Sequence, residues 1–174
     1  KEGVKHMPPI QLVAIRQIFG GLIYLLYFLI KKHPWPNKRQ WRTILVLSVL
    51  NFMLSNGLST WGVKYISSGL GAIIGSIFPL WIVIISLFRG QKTSWKAVVG
   101  LIVAFGGICV IFYDYLNDFL EPEFRFGILL SVIATFTWAL SSLYIKENKT
   151  NFNPYFSLGL QMLISSVVIS TLSA

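Results

Sequence analysis

The chain has 174 residues, of which 55% are hydrophobic and 12% charged; a soluble domain carries roughly 25% Asp, Glu, Lys and Arg, so a water-soluble globule is excluded. Its 15 basic and 6 acidic residues give a net charge of +9, but they sit in clusters between long uncharged runs. Basicity placed in this way does not point to nucleic acid, and none is expected as a partner.

The uncharged runs occupy 43–63, 65–88, 97–113, 126–145 and 150–174, with 21, 24, 17, 20 and 25 residues, and 6–30 is interrupted only by Arg16. Crossing a hydrocarbon core of about 30 Å takes roughly 20 helical residues, so the pattern predicts six spans of an all-α polytopic membrane protein, a helical bundle. Pro8 and Pro9 suit the first turn of the first helix, where a missing N–H costs nothing. That helix runs to about Ile30, and the proline-containing basic segment Lys31 to Arg42 follows as a turn at the membrane surface. The second helix is expected over about Thr43 to Val63 and the third over Gly69 to Phe88. The short link between them, Lys64 to Ser68, demands an antiparallel hairpin. The fourth runs from about Trp95 to Tyr115, with Trp95 and Tyr113 at the interfacial depths aromatic residues favour. The fifth spans about Phe126 to Ile145, and the sixth starts near Pro154.

The charges orient these spans. With loops 31–42, 89–96 and 146–149 in the cytoplasm, ten basic residues lie inside: Lys31, Lys32, Lys38, Arg39, Arg42, Arg89, Lys92, Lys96, Lys146 and Lys149. Only Lys1, Lys5, Lys64 and Arg125 lie outside. The bias recurs at every loop and places the protein in the cytoplasmic (inner) membrane as a multi-pass protein. The outer segment from Tyr113 to Phe126 carries Asp114, Asp118, Glu121 and Glu123.

Laying Pro9 over Pro154 sets Arg16 on Gln161, Ile18 on Leu163 and Leu22 on Val167, an offset of 145 residues. The second copy stands five crossings on from the first, an odd number, so one copy must run opposite to the other. Inverted-topology repeats of this kind are a signature of secondary transporters. Domain bounds follow: 1–116 as most of a first repeat, 117–126 as an outer acidic loop, and 127–174 as the start of a second. The chain begins without Met and stops inside an apolar run, so both ends read as cuts through a longer protein.

Polar groups within spans are candidates for a solute path, because lipid penalises them. On the second helix Ser48, Asn51, Ser55, Ser59 and Gly62 recur at spacings of 3, 4, 4 and 3, with Asn56 and Thr60 beside them. Asn51 and Asn56 can donate and accept hydrogen bonds to a zwitterionic or polyhydroxy solute; interhelical bonding is the competing role. On the third helix, Gly71 and Gly75 with Ser76 suit close helix packing, as do Gly100, Gly106 and Gly107 on the fourth. Pro79 removes a backbone hydrogen bond and predicts a kink fit for a gate. Ser131, Thr135, Trp138 and Ser142 share a face of the fifth helix, with Trp138 either packed or lining the path. Arg16 either anchors the helix, snorkelling toward the outer surface, or meets an anionic solute group.

Taken together, Pro9 to Arg16, the hairpin Trp61-Gly-Val-Lys-Tyr-Ile-Ser-Ser-Gly-Leu-Gly-Ala, Pro79, the Gly100 and Gly107 pair and Thr137-Trp138-Ala139 resemble the EamA-type permeases of the drug/metabolite transporter superfamily. The resemblance covers essentially the whole chain. It implies ten helices in two inverted five-helix repeats, with this chain similar to the second through seventh. Gln91 departs from the family's usual Glu after Gly90, at a cytoplasmic loop position. The family exports or exchanges amino acids, other small metabolites and drugs.

The expected function is therefore a secondary transporter working by alternating access, with the second, third and fifth helices lining the path and Pro79 and the glycines permitting rocking. Arg16, Asn51, Ser55, Asn56, Ser59, Ser76, Pro79, Trp138 and Ser142 are the candidate path residues. The expected partners are the bilayer and a small metabolite, with room for a homodimer, and no cofactor is expected. A membrane scaffold is the alternative. An intramembrane enzyme fits less well, since the apolar runs contain no Asp, Glu or His for a catalytic pair or metal. Cys109 is the sole cysteine and His6 and His33 lie outside the spans, so no metal site is predicted. Without an intramembrane carboxylate these spans carry no proton coupling of their own.

Overall fold

The computed structural model describes residues 9–91, 94–113, 115, 118–148 and 151–172. Lys1, Lys5, His6, Pro8, Lys92, Asp114, Lys149 and the domain boundary at 116–117 lie outside the described residues. Helix α1 spans Pro9–Ile30. Helix α2 (Lys38–Leu47), a π-helical segment (Ser48–Asn56) and α3 (Gly57–Tyr65) follow one another without a break. Then come α4 (Ser68–Gly75), α5 (Phe78–Phe88), α6 (Trp95–Tyr113), a 3-10 turn (Asp118–Leu120), α7 (Pro122–Glu147) and α8 (Pro154–Leu172).

Among the described residues, five stretches are long and apolar enough to cross a membrane: Ile10–Ile30, Lys38–Tyr65, Ser68–Phe88, Pro122–Glu147 and Pro154–Thr171. The apolar part of α6, Trp95–Val110, is shorter. All of α6 has 19 residues, about 28 Å at 1.5 Å per residue.

Two helix starts differ from the sequence reading. The second span begins at Lys38 rather than Thr43, because Asn37 and Gln40 form a capping box: the Asn37 side chain accepts the Gln40 N–H at 2.9 Å and the Gln40 side chain accepts the Asn37 N–H at 2.8 Å. Part of the expected loop 31–42 is therefore helix. The fifth span begins at Pro122 rather than Phe126, with proline in the first turn and Glu123 beside the helix N-terminus. Most of the expected acidic loop is thus the 3-10 turn and the opening of α7.

The third span is interrupted where Pro79 predicts it. Helix α4 stops at Gly75, and α5 resumes at Phe78 with Pro79 in its first turn. The Ser76 hydroxyl donates to the Ile73 carbonyl at 2.6 Å inside this break.

Helices α1 and α8 lie antiparallel along their length. Val13 and Ala14 cluster with Ile169 at one end, and Phe28 stacks on Phe156 at 5.0 Å at the other. Between them a Cβ at Gly21 would stand 2.7 Å from Leu163 Cγ, and one at Gly159 would stand 2.5 Å from Tyr24 Cβ. Helices α3 and α7 cross just as tightly, since a Cβ at Gly62 would lie 2.8 Å from the Gly127 carbonyl and one at Gly127 would lie 3.0 Å from that of Gly62. Ile66, Leu70, Ile74 and Phe124 fill the core beside this crossing.

Helix α5 runs parallel to α7. Trp81 donates its indole N–H to Thr135 Oγ1 at 3.1 Å, and Arg89 pairs with Glu147 at the helix ends. The π segment packs against both α7 and α8, while α6 packs on α5 at the edge and buries none of its described residues.

The close approaches thus fall on glycines other than those the sequence singled out for packing. A Cβ at Gly75, Gly100, Gly106 or Gly107 would meet nothing within 4 Å, and one at Gly71 would approach only Val63 and Ile66 of its own hairpin. Small-residue spacing permits a close contact but does not choose the face that makes it.

Candidate functional site

A buried polar side chain that joins three helical segments is a residue the sequence reading passed over. Gln17, 4% exposed, donates its side-chain amide to the Phe52 carbonyl at 3.1 Å and accepts the Ser165 hydroxyl. One side chain therefore ties α1 to the π segment and to α8. The π geometry makes the Phe52 carbonyl available: the Gly57 N–H, which a continuing π register would give to Phe52, is donated to Leu54 instead. Beside this bridge is a cavity of about 90 Å³ lined by Val13, Arg16, Gln17, Phe52, Asn56 and Met162. Arg16 is exposed at its rim, and Asn56 donates its side chain to the Asn51 carbonyl at 3.1 Å. The volume admits a few waters rather than a metabolite.

A second, larger cavity of about 460 Å³ opens between α2, the π segment, the C-terminal end of α7 and the start of α8. Its polar lining is Thr43, Asn51, Asn148, Asn151, Ser157 and Gln161. Asn153 caps α8 next to it, accepting the N–H groups of Tyr155 at 2.9 Å and Phe156 at 3.2 Å. That cap fixes the first turns of α8 and so the placement of Ser157 and Gln161.

The structure therefore brings Arg16 and Asn56 to one cavity and Asn51 to another. Ser55 is buried, Ser59 is exposed and Ser142 is half-buried. A π turn advances less per residue than an α turn, so the expected Ser48 to Gly62 stripe changes face within the span. Ser76 and Pro79 are exposed at the break between α4 and α5. Trp138, 44% exposed, lies against Phe78 with ring centroids 4.5 Å apart; the indole hydrogen bond between helices belongs to Trp81.

Gln17, Thr43, Asn148, Asn151, Ser157 and Gln161 were missed by the sequence reading. One signal could have found Gln161, since the repeat places it over Arg16. Asn148 and Asn151 sit in a polar Asn-Lys-Thr-Asn stretch indistinguishable from an ordinary loop. Among the described residues no three His, Cys, Asp or Glu side chains come together as a metal site.

Long apolar helices whose crossings enclose amide and hydroxyl groups define a polytopic helical membrane protein. The chain belongs to the EamA-like transporter family, which matches residues 1–113. It is 29% identical over 170 residues to the uncharacterized transporter YvbV of Bacillus subtilis (strain 168), covering 97% of this chain and 55% of that protein. An uncharacterized transporter of Archaeoglobus fulgidus is 23% identical, covering 96% of this chain and 58% of its own length. The uncharacterized inner membrane transporter YedA of Escherichia coli (strain K12) is 26% identical over 143 residues, covering 82% and 45%. The chain thus spans about half the length of the curated relatives it matches. No solved structure matches it.

Proposed function

We propose that this chain forms part of a secondary transporter that moves small polar metabolites, the class to which amino acids belong, across the cytoplasmic membrane by alternating access. The observation that carries the reading is the register of α1 against α8. An offset of 145 residues carries Gln17 onto Met162 and Gly20 onto Ser165. The contacts made are Gln17 with Ser165 and Gly20 with Met162. Each contact is therefore the image of the other under the repeat, as a two-fold axis in the membrane plane between antiparallel helices requires. Two further features support transport: the break at Pro79 halfway along the third span, and a nine-residue π segment of a kind that concentrates at functional sites.

The names of the family and of the relatives are those of transporters rather than enzymes, and the naming of YedA as an inner membrane transporter supports the inner-membrane placement. The reading is tested by reconstituting the complete protein in proteoliposomes and following counterflow of labelled amino acids, nucleosides and polyols. Absence of movement for every solute class would overturn it. Because the cavity at Arg16 holds only a few waters, Arg16→Lys is expected to leave transport kinetics within about twofold of wild type. A rise in KM confined to carboxylate solutes would instead put Arg16 in contact with solute.

A further inference from the structure

The larger cavity has a chemical character that narrows the solute. Its volume, about 460 Å³, falls within the ~300–1,000 Å³ range of small-molecule sites. Among the described residues, four of its six polar lining residues are carboxamides and two are hydroxyls, and none of the lining side chains is charged. A solute bearing an ammonium or a carboxylate would lose hydration there without a counter-charge, which is unfavourable.

The hydrogen bonds already made decide what remains on offer. Gln161 Nε2 donates to Ser157 Oγ at 2.8 Å, Asn148 Nδ2 donates to the Tyr144 carbonyl at 3.2 Å, and Thr43 Oγ1 donates to the Arg39 carbonyl at 3.3 Å. Among the described residues the amide oxygens of Gln161 and Asn148 accept no hydrogen bond, and the Asn51 and Asn151 side chains have no partner. The cavity thus presents the four carboxamide oxygens as acceptors and, as donors, the amide groups of Asn51 and Asn151, the second N–H of Gln161 and of Asn148 and the Ser157 O–H, a mixed set suited to hydroxyl groups, each of which both donates and accepts. Asn51 lies eight residues beyond Thr43 and Gln161 seven beyond Pro154, about 12 Å and 10 Å along their helices. Of the lining residues on these two helices, they lie furthest from the helix ends that adjoin the basic loops.

We propose that this cavity binds an uncharged polyhydroxy metabolite, of the polyol or nucleoside kind, entering from the side of the basic loops, with Asn51 and Gln161 as its deepest contacts. That the bound molecule is also a transported one rests on the transporter reading above; the binding itself does not.

The test separates the two. The complete protein, purified in nanodiscs, is assayed at equilibrium for binding of labelled uridine and ribitol as neutral probes and alanine as a zwitterionic one. The neutral probes are expected to bind, and alanine to bind at least about tenfold more weakly. Asn51→Asp and Gln161→Glu preserve side-chain shape while adding a charge, so they are expected to fold and to weaken the neutral probes at least about tenfold. Cys109→Ser, on exposed α6, is expected to match wild type. Alanine binding as well as the neutral probes, neutral probes that fail to bind, or monodisperse Asn51→Asp and Gln161→Glu proteins that bind as wild type does would each overturn the assignment. Counterflow on the same preparations reads the other question. Binding without movement counts against the transporter reading alone, and movement unaffected by Asn51→Asp and Gln161→Glu counts against this cavity alone.

Discussion

Gln17 shows how much one side chain can hold together in a membrane bundle. Apolar groups gain little by leaving lipid for one another, so hydrogen bonds and close packing must bring the helices together. Replacing Gln17 by Leu strands the Phe52 carbonyl without its side-chain donor and the Ser165 hydroxyl without its acceptor. We expect a loss of about 1–2 kcal/mol in the unfolding free energy, measured by graded denaturation in detergent. His33 should behave in the opposite sense. Its ring is packed edge-on against Phe28 at 5.4 Å and Phe152 at 6.2 Å, and its buried Nδ1 has no partner among the described residues. Since a buried unsatisfied nitrogen costs free energy, His33→Phe is expected to hold or raise stability, by up to about 1 kcal/mol in the same assay. Neither role was legible from sequence. Gln17 looks like one more polar residue beside Arg16, and His33 like part of a basic loop, until the chain returns Ser165, Phe152 and Phe156 to them.

At the scale of the elements, the crossings are decided by which glycines face a neighbour. A Cβ at Gly127 would approach Tyr65 Cβ to 2.8 Å and Ile66 Cγ2 to 2.9 Å. Gly127→Ala is therefore expected to push α7 away from α3, at a cost of about 1–3 kcal/mol. Gly107→Ala, with open space around it, is expected to be neutral or mildly favourable through helix propensity. Equal melting temperatures for the two variants would show that the α3–α7 crossing has room for a methyl group at Gly127. Helix existence was readable in every span, since run length and prolines are local signals. The starts at Lys38 and Pro122 were not, because a basic or acidic stretch reads as loop while its capping residues already favour helix.

For the whole molecule, the basic residues make a prediction about orientation. In the complete protein carrying Cys109→Ser, a cysteine at Lys146 should react with a membrane-impermeant maleimide only after the cells are permeabilised, and one at Glu121 should react in intact cells. The reverse pattern would invert every span and move the mouth of the larger cavity to the outer surface. The sequence alone determined the number and alternation of the apolar segments, the charge bias from which the side of each loop is expected, and the 145-residue offset. These follow from transfer free energies and charge counts that add residue by residue along the chain. Only the tertiary structure decided that α1 lies on α8, that Gly62 meets Gly127, that Trp81 rather than Trp138 holds an interhelical hydrogen bond, and that Asn51 shares a cavity with Gln161. Lipid is as apolar as the helix faces themselves, so burial cannot choose among them. The choice falls to shape and hydrogen bonding between residues more than a hundred positions apart, which no local pattern records.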